Sequence, residues 1–213
     1  METNERITAR FTEHLREHGR HPESIYLFCR GLGIEEKEFF SEFGSFESVE
    51  SGIWEDLINQ VVIAVESGPE WPSFSARQRL LTFHFAFLEK ALNYRSLMLS
   101  RFTAVGPLAR PGWLRGFETR FKAFASAIVN KGTESGEIAD RGRLTPLYSE
   151  ALYLHLRSVI DFYLKDDSKG FERTDAFVEK SATAAFDIIR TQALDSAVDL
   201  ARFLIPGPHS RTK

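Results

Sequence analysis

The chain has 213 residues, 43% hydrophobic and 27% charged, a composition that supports a sizeable core in one or two domains. Its single cysteine, Cys29, excludes a disulfide within the chain, and its formal net charge of −3 excludes an overall basic protein. The acidic excess lies in residues 1–50, which hold six Lys and Arg against eleven Asp and Glu.

Three features bear on location. The longest apolar stretches fall well short of the roughly 20 residues that a helix needs to cross a bilayer. No apolar segment follows the polar residues 1–6, so this region does not resemble a signal peptide. A lone cysteine fits a reducing compartment. We therefore expect a cytoplasmic protein without a membrane span.

The first predicted helix covers residues 5–18. Ile7, Phe11 and Leu15 recur there at intervals of four residues, which places them on one apolar face. Gly19 ends the helix, because glycine after the last apolar position is a typical stop signal.

Two short helices follow, over residues 24–30 and 35–42. Ile25 and Phe28 point inward from the first of them, and a turn around Gly33 separates the two. A short helix, a glycine-containing turn and a second short helix form the arrangement of a helix-turn-helix.

Ser45 is expected to cap a long fourth helix. Its inward positions repeat at helical spacing and are Phe46, Val49, Ile53, Leu57, Val61 and Val65. Gly68, Pro69 and Pro72 then break the chain.

The remaining sequence predicts only helices, and no convincing strand. The segments are 75–94, 96–103, 111–133, 146–164, 172–191 and 194–204. The segment 75–94 is apolar on most faces, which indicates a buried central helix. Pro111 suits the first turn of its helix. Small residues in 172–191 would allow close helix approach, as at a dimer seam.

Several positions resemble the tetracycline-repressor family of transcriptional regulators. The family motif is a glycine-hydrophobic turn, a short recognition helix ending in aromatic residues, then Phe, a small residue, Ser and a charged residue. The matching residues are Gly33, Ile34, Phe39, Phe40, Phe43, Gly44, Ser45 and Glu47. Beyond residues 5–55, the number and lengths of the helices match.

This resemblance implies an all-α fold, with a three-helix helix-turn-helix head followed by a larger helical bundle for ligand binding and dimerisation. We place the head at 1–50, the bundle at 51–205 and a disordered tail at 206–213. The resemblance also implies a homodimer joined by its last long helices, and an apolar small molecule in the bundle that resets the spacing of the two heads.

The head departs from the family pattern in its chemistry. Glu35, Glu36 and Lys37 stand where a recognition helix usually opens with Ser-Lys-Gly or similar, and Phe46 replaces a common lysine. Glu35, Glu36 and Glu38 either face phosphates, which they would repel, or form a solvated first turn favoured by the helix dipole. DNA binding is therefore possible but disfavoured. The candidate DNA contacts are Arg6, Arg20, Ser24, Arg30, Lys37 and Phe40.

The bundle holds a stripe of aromatic residues, which is either plain core or the lining of an apolar ligand cavity. His84 and His155 are either hydrogen-bonded core histidines or polar groups of that cavity. The candidate pocket residues are Phe83, His84, Phe87, Tyr94, Met98, Phe102, Trp113, Phe117, Phe121 and His155.

Other site classes find little support. His14 and His18 are four residues apart, a possible metal pair, but no placed third ligand completes the set, so we interpret them as solvent-facing and expect no metal site. Cys29 is interpreted as a small buried apolar residue. No catalytic motif and no phosphate-binding glycine loop is present, so we expect neither an enzyme nor a cofactor.

Two hypotheses of function result. The first is a homodimeric transcriptional regulator that senses an apolar small molecule and whose DNA binding is weak or lost. The alternative is a binding protein for a lipid or isoprenoid-type molecule on the same fold that no longer reads DNA, similar to the lipid-binding accessory proteins of ubiquinone synthesis.

Overall fold

The structure, a computed structural model, describes residues 2–142 and 146–190. These residues form nine α-helices and no strand. The helices are α1 (Thr3–His18), α2 (Ile25–Leu32), α3 (Glu36–Glu42), α4 (Phe46–Glu66), α5 (Ala76–Ala91), α6 (Arg95–Phe102), α7 (Arg115–Glu134), α8 (Pro146–Lys165) and α9 (Glu172–Arg190). The all-α prediction, with a small head and a larger body, is confirmed. The predicted helix 194–204 and the predicted disordered tail 206–213 lie outside the described residues.

The head, α1 to α3, closes around a cluster of phenylalanine rings. Phe46, the first residue of α4, stacks on Phe11 with ring centroids 5.5 Å apart and meets Phe28 edge-on at 5.2 Å. Phe39 of α3 approaches the same ring at 5.5 Å. Each such aromatic pair contributes about 0.5–1.5 kcal/mol beyond its burial. Phe46 thus joins the head to the long helix that leads into the body.

The boundary predicted near position 50 falls inside a continuous helix. α4 begins with the cap of Ser45, whose Oγ accepts from the Ser48 N–H at 3.2 Å, and runs unbroken to Glu66. Head and body therefore share α4 and are not joined by a flexible linker. In the body, which comprises α5 to α9, α7 packs against α4, α5 and α8, and α9 packs against α5 and α8.

One glycine sets how closely α4 and α7 approach each other. A Cβ atom on Gly116 would lie 2.9 Å from the carbonyl oxygen of Ser51 and closer still to the side chain of Glu55. The Gly116 N–H donates to Ser51 Oγ at 3.0 Å. Any larger residue at position 116 would therefore push α4 and α7 apart.

Two predicted helix boundaries were wrong. The segment 75–94 ends as an α-helix at Ala91, and a 3₁₀ turn, Leu92–Tyr94, leads into α6. No glycine or proline marks this corner, so the sequence carried no stop signal. α5 is also not buried all round, because Phe85 is 36% exposed. Pro111 precedes a 3₁₀ turn, Gly112–Leu114, and α7 begins only at Arg115.

Among the helices in the described part of the chain, none combines the length and the apolar character needed to cross a membrane.

Candidate functional site

The helix-turn-helix is formed by α2, α3 and the turn between them. Ser24 caps α2, since its Oγ accepts from the Leu27 N–H at 3.4 Å. α2 ends at Gly33, whose φ of 69° lies in the left-handed region that favours glycine. Phe28 and Phe39 meet edge-on across the two helices, with ring centroids 6.2 Å apart. The backbone arrangement is therefore that of a DNA-reading head.

Two of the predicted DNA contacts are engaged by neighbours in the head. Lys37 Nζ lies 2.8 Å from a carboxylate oxygen of Glu35. Arg6 donates from Nη2 to the carbonyl oxygen of Leu32 at 2.9 Å, so it ties α1 to the end of α2. The charge of Lys37 is therefore neutralised by a neighbouring carboxylate, and the guanidinium of Arg6 is hydrogen-bonded to the backbone of the head.

The other two cations are also occupied, though less firmly. Arg20 pairs with Glu23 at 3.3 Å on the surface. The Arg30 guanidinium lies over the ring of Tyr26, 5.8 Å from its centroid, and both side chains are exposed. Arg6 and Arg30 are therefore the two cationic candidates that pair with no carboxylate in the described head.

The remaining candidate on the reading helix is apolar. Phe40 is 52% exposed on α3 and meets Phe39 edge-on. It lies on the outward face together with Glu36 and Lys37, both exposed. A phenyl ring there offers no hydrogen bond to a phosphate.

The three glutamates of α3 have different roles. Glu38 accepts from the backbone N–H of Glu35 at 2.8 Å, so it caps the start of the helix. Glu35 neutralises Lys37, and Glu36 is exposed. Glu38 is thus a capping residue and the least exposed of the three, whereas Glu35 and Glu36 are exposed. Nearby, burial raises the pKa of the Cys29 thiol, and Glu36 and Glu38 raise it further, so Cys29 stays a buried, protonated thiol.

A buried carboxylate, which sequence reasoning missed, joins the head to the body. Glu50 on α4 is fully buried and accepts from Nε and Nη2 of Arg101, both at 2.8 Å. Trp54 Nε1 donates to it at 3.2 Å, and His21 Nε2 lies 2.6 Å away. Burial alone raises the pKa of Glu50, but the hydrogen bonds from His21, Arg101 and Trp54 outweigh it and leave the pKa below its ordinary value.

The sequence did contain a signal for this site. Glu50 falls on the apolar face of α4, between Val49 and Ile53, and Trp54 follows one turn later. A carboxylate among core positions requires a partner. Its partner Arg101 comes from α6, 51 residues further along, which no local pattern could indicate.

A second buried charge, also missed, fastens a loop of the body. Arg157 on α8 is 2% exposed and donates to the carbonyl oxygens of Ala109 and Gly106 at 3.0 and 3.1 Å. Its guanidinium also lies over Phe102, 5.7 Å from the ring centroid. Arg157 thus holds the segment between α6 and α7 against α8.

Most predicted pocket residues form one continuous aromatic core between α4, α5, α6 and α7. Phe83 lies 5.2 Å from Phe121, and Phe102 lies 6.0 Å from Phe117, measured between ring centroids. All eight members are at most 7% exposed. They are Phe83, His84, Phe87, Met98, Phe102, Trp113, Phe117 and Phe121. The structure brings the predicted apolar residues together.

The two histidines form a pair between α5, α8 and α9. Their ring centroids are 4.9 Å apart. His84 Nδ1 lies 2.7 Å from the carbonyl oxygen of Leu80, and His155 Nε2 lies 2.8 Å from Ser181 Oγ. The other nitrogen of each ring is buried without a partner. Burial, and then the other ring, lowers the pKa of His84 to about 3, and burial lowers that of His155 to about 4, so both are neutral near pH 7.

Tyr94 lies apart from the rest of the predicted pocket. It is half-buried at the corner between α5 and α6 and lines a groove with residues of α1 and α4. Its ring centroid lies 6.4 Å from that of Trp54.

His14 and His18 lie side by side on α1, with ring centroids 4.4 Å apart. Burial, then His18 and Arg10, lowers the pKa of His14. Within residues 2–142 and 146–190, no three His, Cys, Asp or Glu side chains are grouped so that they could hold a metal ion.

Comparisons with known proteins agree with this arrangement. The family described as tetracyclin repressor-like, C-terminal domain, matches residues 79–204, more than half of the chain. The chain belongs to the tetracycline-repressor family. Among curated proteins, none matches the chain.

Solved structures with the same fold include three bacterial proteins. A protein from Syntrophomonas wolfei described as a TetR-family transcriptional regulator superposes with a TM-score of 0.65 at 17% identity, over 85% of this chain and 95% of the other. One from Shewanella sp. PV-4 gives 0.60 at 15% identity, over 87% and 96%. A bacterial regulatory protein in the tetR family from Rhodococcus RHA1 gives 0.52 at 14% identity, over 89% and 97%. At such low identities, the likeness concerns the fold.

This member of the tetracycline-repressor family thus combines a helix-turn-helix backbone with an acidic head. Residues 20–47 contain six glutamates against three Lys and Arg. Specific and non-specific DNA binding both depend on the neutralisation of phosphates by cations.

Proposed function

We propose that the protein is a homodimeric member of the tetracycline-repressor family that senses an apolar small molecule and whose DNA binding is weak or lost. The observation that supports weak DNA binding most directly is the Lys37–Glu35 ion pair on α3, 2.8 Å long. Surface pairs of this kind contribute only about 0–1 kcal/mol to stability, so the pair itself is not the barrier. The barrier to DNA binding is the negative electrostatic potential around this pair, because Glu36 and Glu38 lie beside it.

Replacing Glu36 with lysine is expected to strengthen binding to duplex DNA about tenfold or more at low salt. Glu36 is exposed on the first turn of α3 and takes part in no described hydrogen bond, so the exchange replaces a repulsive charge with an attractive one. Fluorescence anisotropy with a labelled random 30-base-pair duplex measures the affinity. The slope of log K against log salt concentration is expected to steepen by roughly one.

Glu66→Lys is the matched control, since Glu66 is exposed at the far end of α4 and the net charge changes equally. If both variants gain the same affinity, net charge alone is responsible. The assignment of α3 as the weakened reading surface would then be wrong.

Homodimerisation is supported by two apolar stripes on α8 and α9. Phe162 and Phe177 join them, with stacked rings 4.5 Å apart. Along each helix the partly or fully exposed positions recur at helical spacing. They are Leu147, Ala151, Leu154, Ser158 and Phe162 on α8, and Phe177, Ser181, Ala184 and Ile188 on α9. Exposed apolar stripes on adjacent helices are typical of a helical dimer interface.

Ala151→Arg is expected to convert the dimer to a monomer, because the new guanidinium would be buried in the seam without a partner. Light scattering coupled to size exclusion measures the mass. Ala64→Arg, at an exposed position of α4, should leave the mass unchanged. A dimer that persists in Ala151→Arg would place the interface elsewhere.

The ligand is proposed to enter the aromatic core between α4, α5, α6 and α7, with His84 and His155 as its polar neighbours. His84 donates from Nδ1 to the Leu80 carbonyl oxygen, so its unpartnered Nε2 can accept a hydrogen bond, while the unpartnered Nδ1 of His155 can donate or accept. Native mass spectrometry of the purified protein, followed by solvent extraction, tests this proposal. A bound apolar molecule supports it, and a ligand-free protein that takes up no apolar compound contradicts it.

The alternative is a lipid-binding protein that does not bind DNA. It is supported by the same observation, that few cations in the head are available to contact phosphates. The two functions differ in one outcome. A regulator prefers one DNA sequence, however weakly, and this binding changes when its ligand is extracted, whereas a pure lipid binder does not bind DNA in either state.

A further inference from the structure

A groove runs between α1 and α4 where the head meets the body. Its volume is about 550 Å³, within the range of about 300–1,000 Å³ that holds small molecules. The part of α1 that borders it, from Asn4 to Arg16, spans about 18 Å at 1.5 Å per residue. The apolar members of its lining are Ala9, Phe43, Val49, Ile53 and Tyr94.

The floor of this groove contains a glycine that the fold does not require. Gly52 lies in the middle of α4, where glycine costs about 1 kcal/mol relative to alanine. A Cβ atom at Gly52 would meet nothing within 4 Å. By contrast, Cβ atoms at Gly116 and Gly132 would collide with neighbouring side chains. Packing explains those two glycines, while at Gly52 the backbone is left open toward the groove.

The rim of the groove carries two carboxylates, Glu5 and Asp56, and one guanidinium, Arg16, whose remaining N–H groups can still donate. The Thr12 hydroxyl already donates to the Thr8 carbonyl oxygen at 2.7 Å, and Arg16 donates to the Asn93 carbonyl oxygen at 3.4 Å. Glu5 and Asp56 each accept one internal hydrogen bond, and a carboxylate retains further lone pairs. Because the two carboxylates outnumber the one guanidinium, a molecule that donates hydrogen bonds and carries no negative charge fits this rim best.

We propose that the α1–α4 groove is a second ligand site, separate from the aromatic core of the body, and that it takes a small aromatic molecule bearing an amine. The apolar floor around Gly52 binds the ring system, and the amine donates to Asp56 or Glu5. Since α1 belongs to the head and Tyr94 to the body, an occupant contacts both. The site does not depend on whether the protein binds DNA or on what occupies the aromatic core.

Two probes with the same ring system test this site. N-phenyl-1-naphthylamine is an uncharged aromatic amine, and 8-anilinonaphthalene-1-sulfonate is the same molecule with an added sulfonate. Titrated against the full chain by fluorescence, the amine is expected to bind saturably and the sulfonate at least tenfold more weakly. Asp56→Asn should weaken amine binding several-fold. Equal affinities for the two probes, or no saturable binding of the amine, would overturn the proposal.

Gly52→Leu locates the site, because its side chain would fill the groove from the floor. Gly52→Leu is expected to lower the affinity for the amine at least tenfold. Ala64→Leu, which adds similar apolar bulk elsewhere on α4, should leave this affinity unchanged. Gly52→Ala is the folding control, because it should raise the melting temperature. It is expected to lower the affinity for the amine less than Gly52→Leu does. Undiminished binding in Gly52→Leu would place the amine outside this groove. A change of molecular mass in Gly52→Leu would instead identify the groove as a contact between copies of the chain and also overturn the proposal.

Discussion

Replacing Glu50 with leucine is expected to lower the free energy of unfolding by about 3–5 kcal/mol, the usual cost of breaking a buried ion pair by removing one partner. Glu50 is fully buried and holds Arg101 through two hydrogen bonds of 2.8 Å. Without the carboxylate, the Arg101 guanidinium, whose side chain is 17% exposed, has no counter-charge. Urea denaturation at pH 7 measures the loss.

Two comparisons make this result specific. The double variant Glu50→Leu with Arg101→Met removes both charges and is expected to recover part of the stability, because apolar replacement of a whole buried pair is often tolerated. Asp161→Ala breaks the surface pair with Lys165 and should cost about 1 kcal/mol or less. A loss below about 1 kcal/mol in Glu50→Leu would show that the network is not a major source of stability.

The position of this network gives the variant a second expected effect. Arg101 also donates to the carbonyl oxygen of Gly19 at 3.4 Å, and its guanidinium lies over the ring of Trp113 at 5.1 Å. The network therefore connects the end of α1 with α4 and α6. In Glu50→Leu, hydrogen exchange in α1 should accelerate more than in α8, because the head loses an attachment to the body.

Lowering the pH from 7 to 5 is expected to reduce the free energy of unfolding by about 2 kcal/mol through His84 alone. In the folded state its pKa is about 3, whereas an unfolded histidine titrates near 6.5. Between these values the unfolded chain binds more protons than the folded chain, so stability falls as the pH falls. His155, with a folded pKa of about 4, acts in the same direction over this pH range, because it too stays neutral in the folded chain.

His84→Leu tests this assignment, because it removes the titrating ring and its unpartnered nitrogen together. Between pH 7 and pH 5, the free energy of unfolding of this variant should fall by about 2 kcal/mol less than that of the native chain. An identical slope in His84→Leu and in the native chain would contradict the buried neutral histidine.

The sequence was most informative where structure is local. The stripe of Ile7, Phe11 and Leu15, the caps at Ser24 and Ser45, and the turn at Gly33 all act within a few residues. These features predicted the head and its helix-turn-helix correctly. Helix spacing likewise predicted α4, α7, α8 and α9 to within a few residues at their ends.

The sequence was least informative where distant residues meet. Glu50 finds Arg101 across 51 positions, and Tyr94 leaves the aromatic core because the chain turns at Ala91 without a glycine or proline. The Lys37–Glu35 pair is local but depends on side-chain rotamers, which no sequence pattern specifies. Whether the aromatic core opens to hold a ligand remains a prediction.

The most direct measurement of the central claim is the affinity of the native full-length chain for a random duplex pool, determined at 50 mM and 200 mM salt. A reading head in which Lys37 is neutralised by Glu35 predicts a dissociation constant weaker than about 10⁻⁴ M, the weak end of non-specific binding, and a shallow salt dependence. Submicromolar binding, with a slope that corresponds to six or more phosphates, would contradict the account.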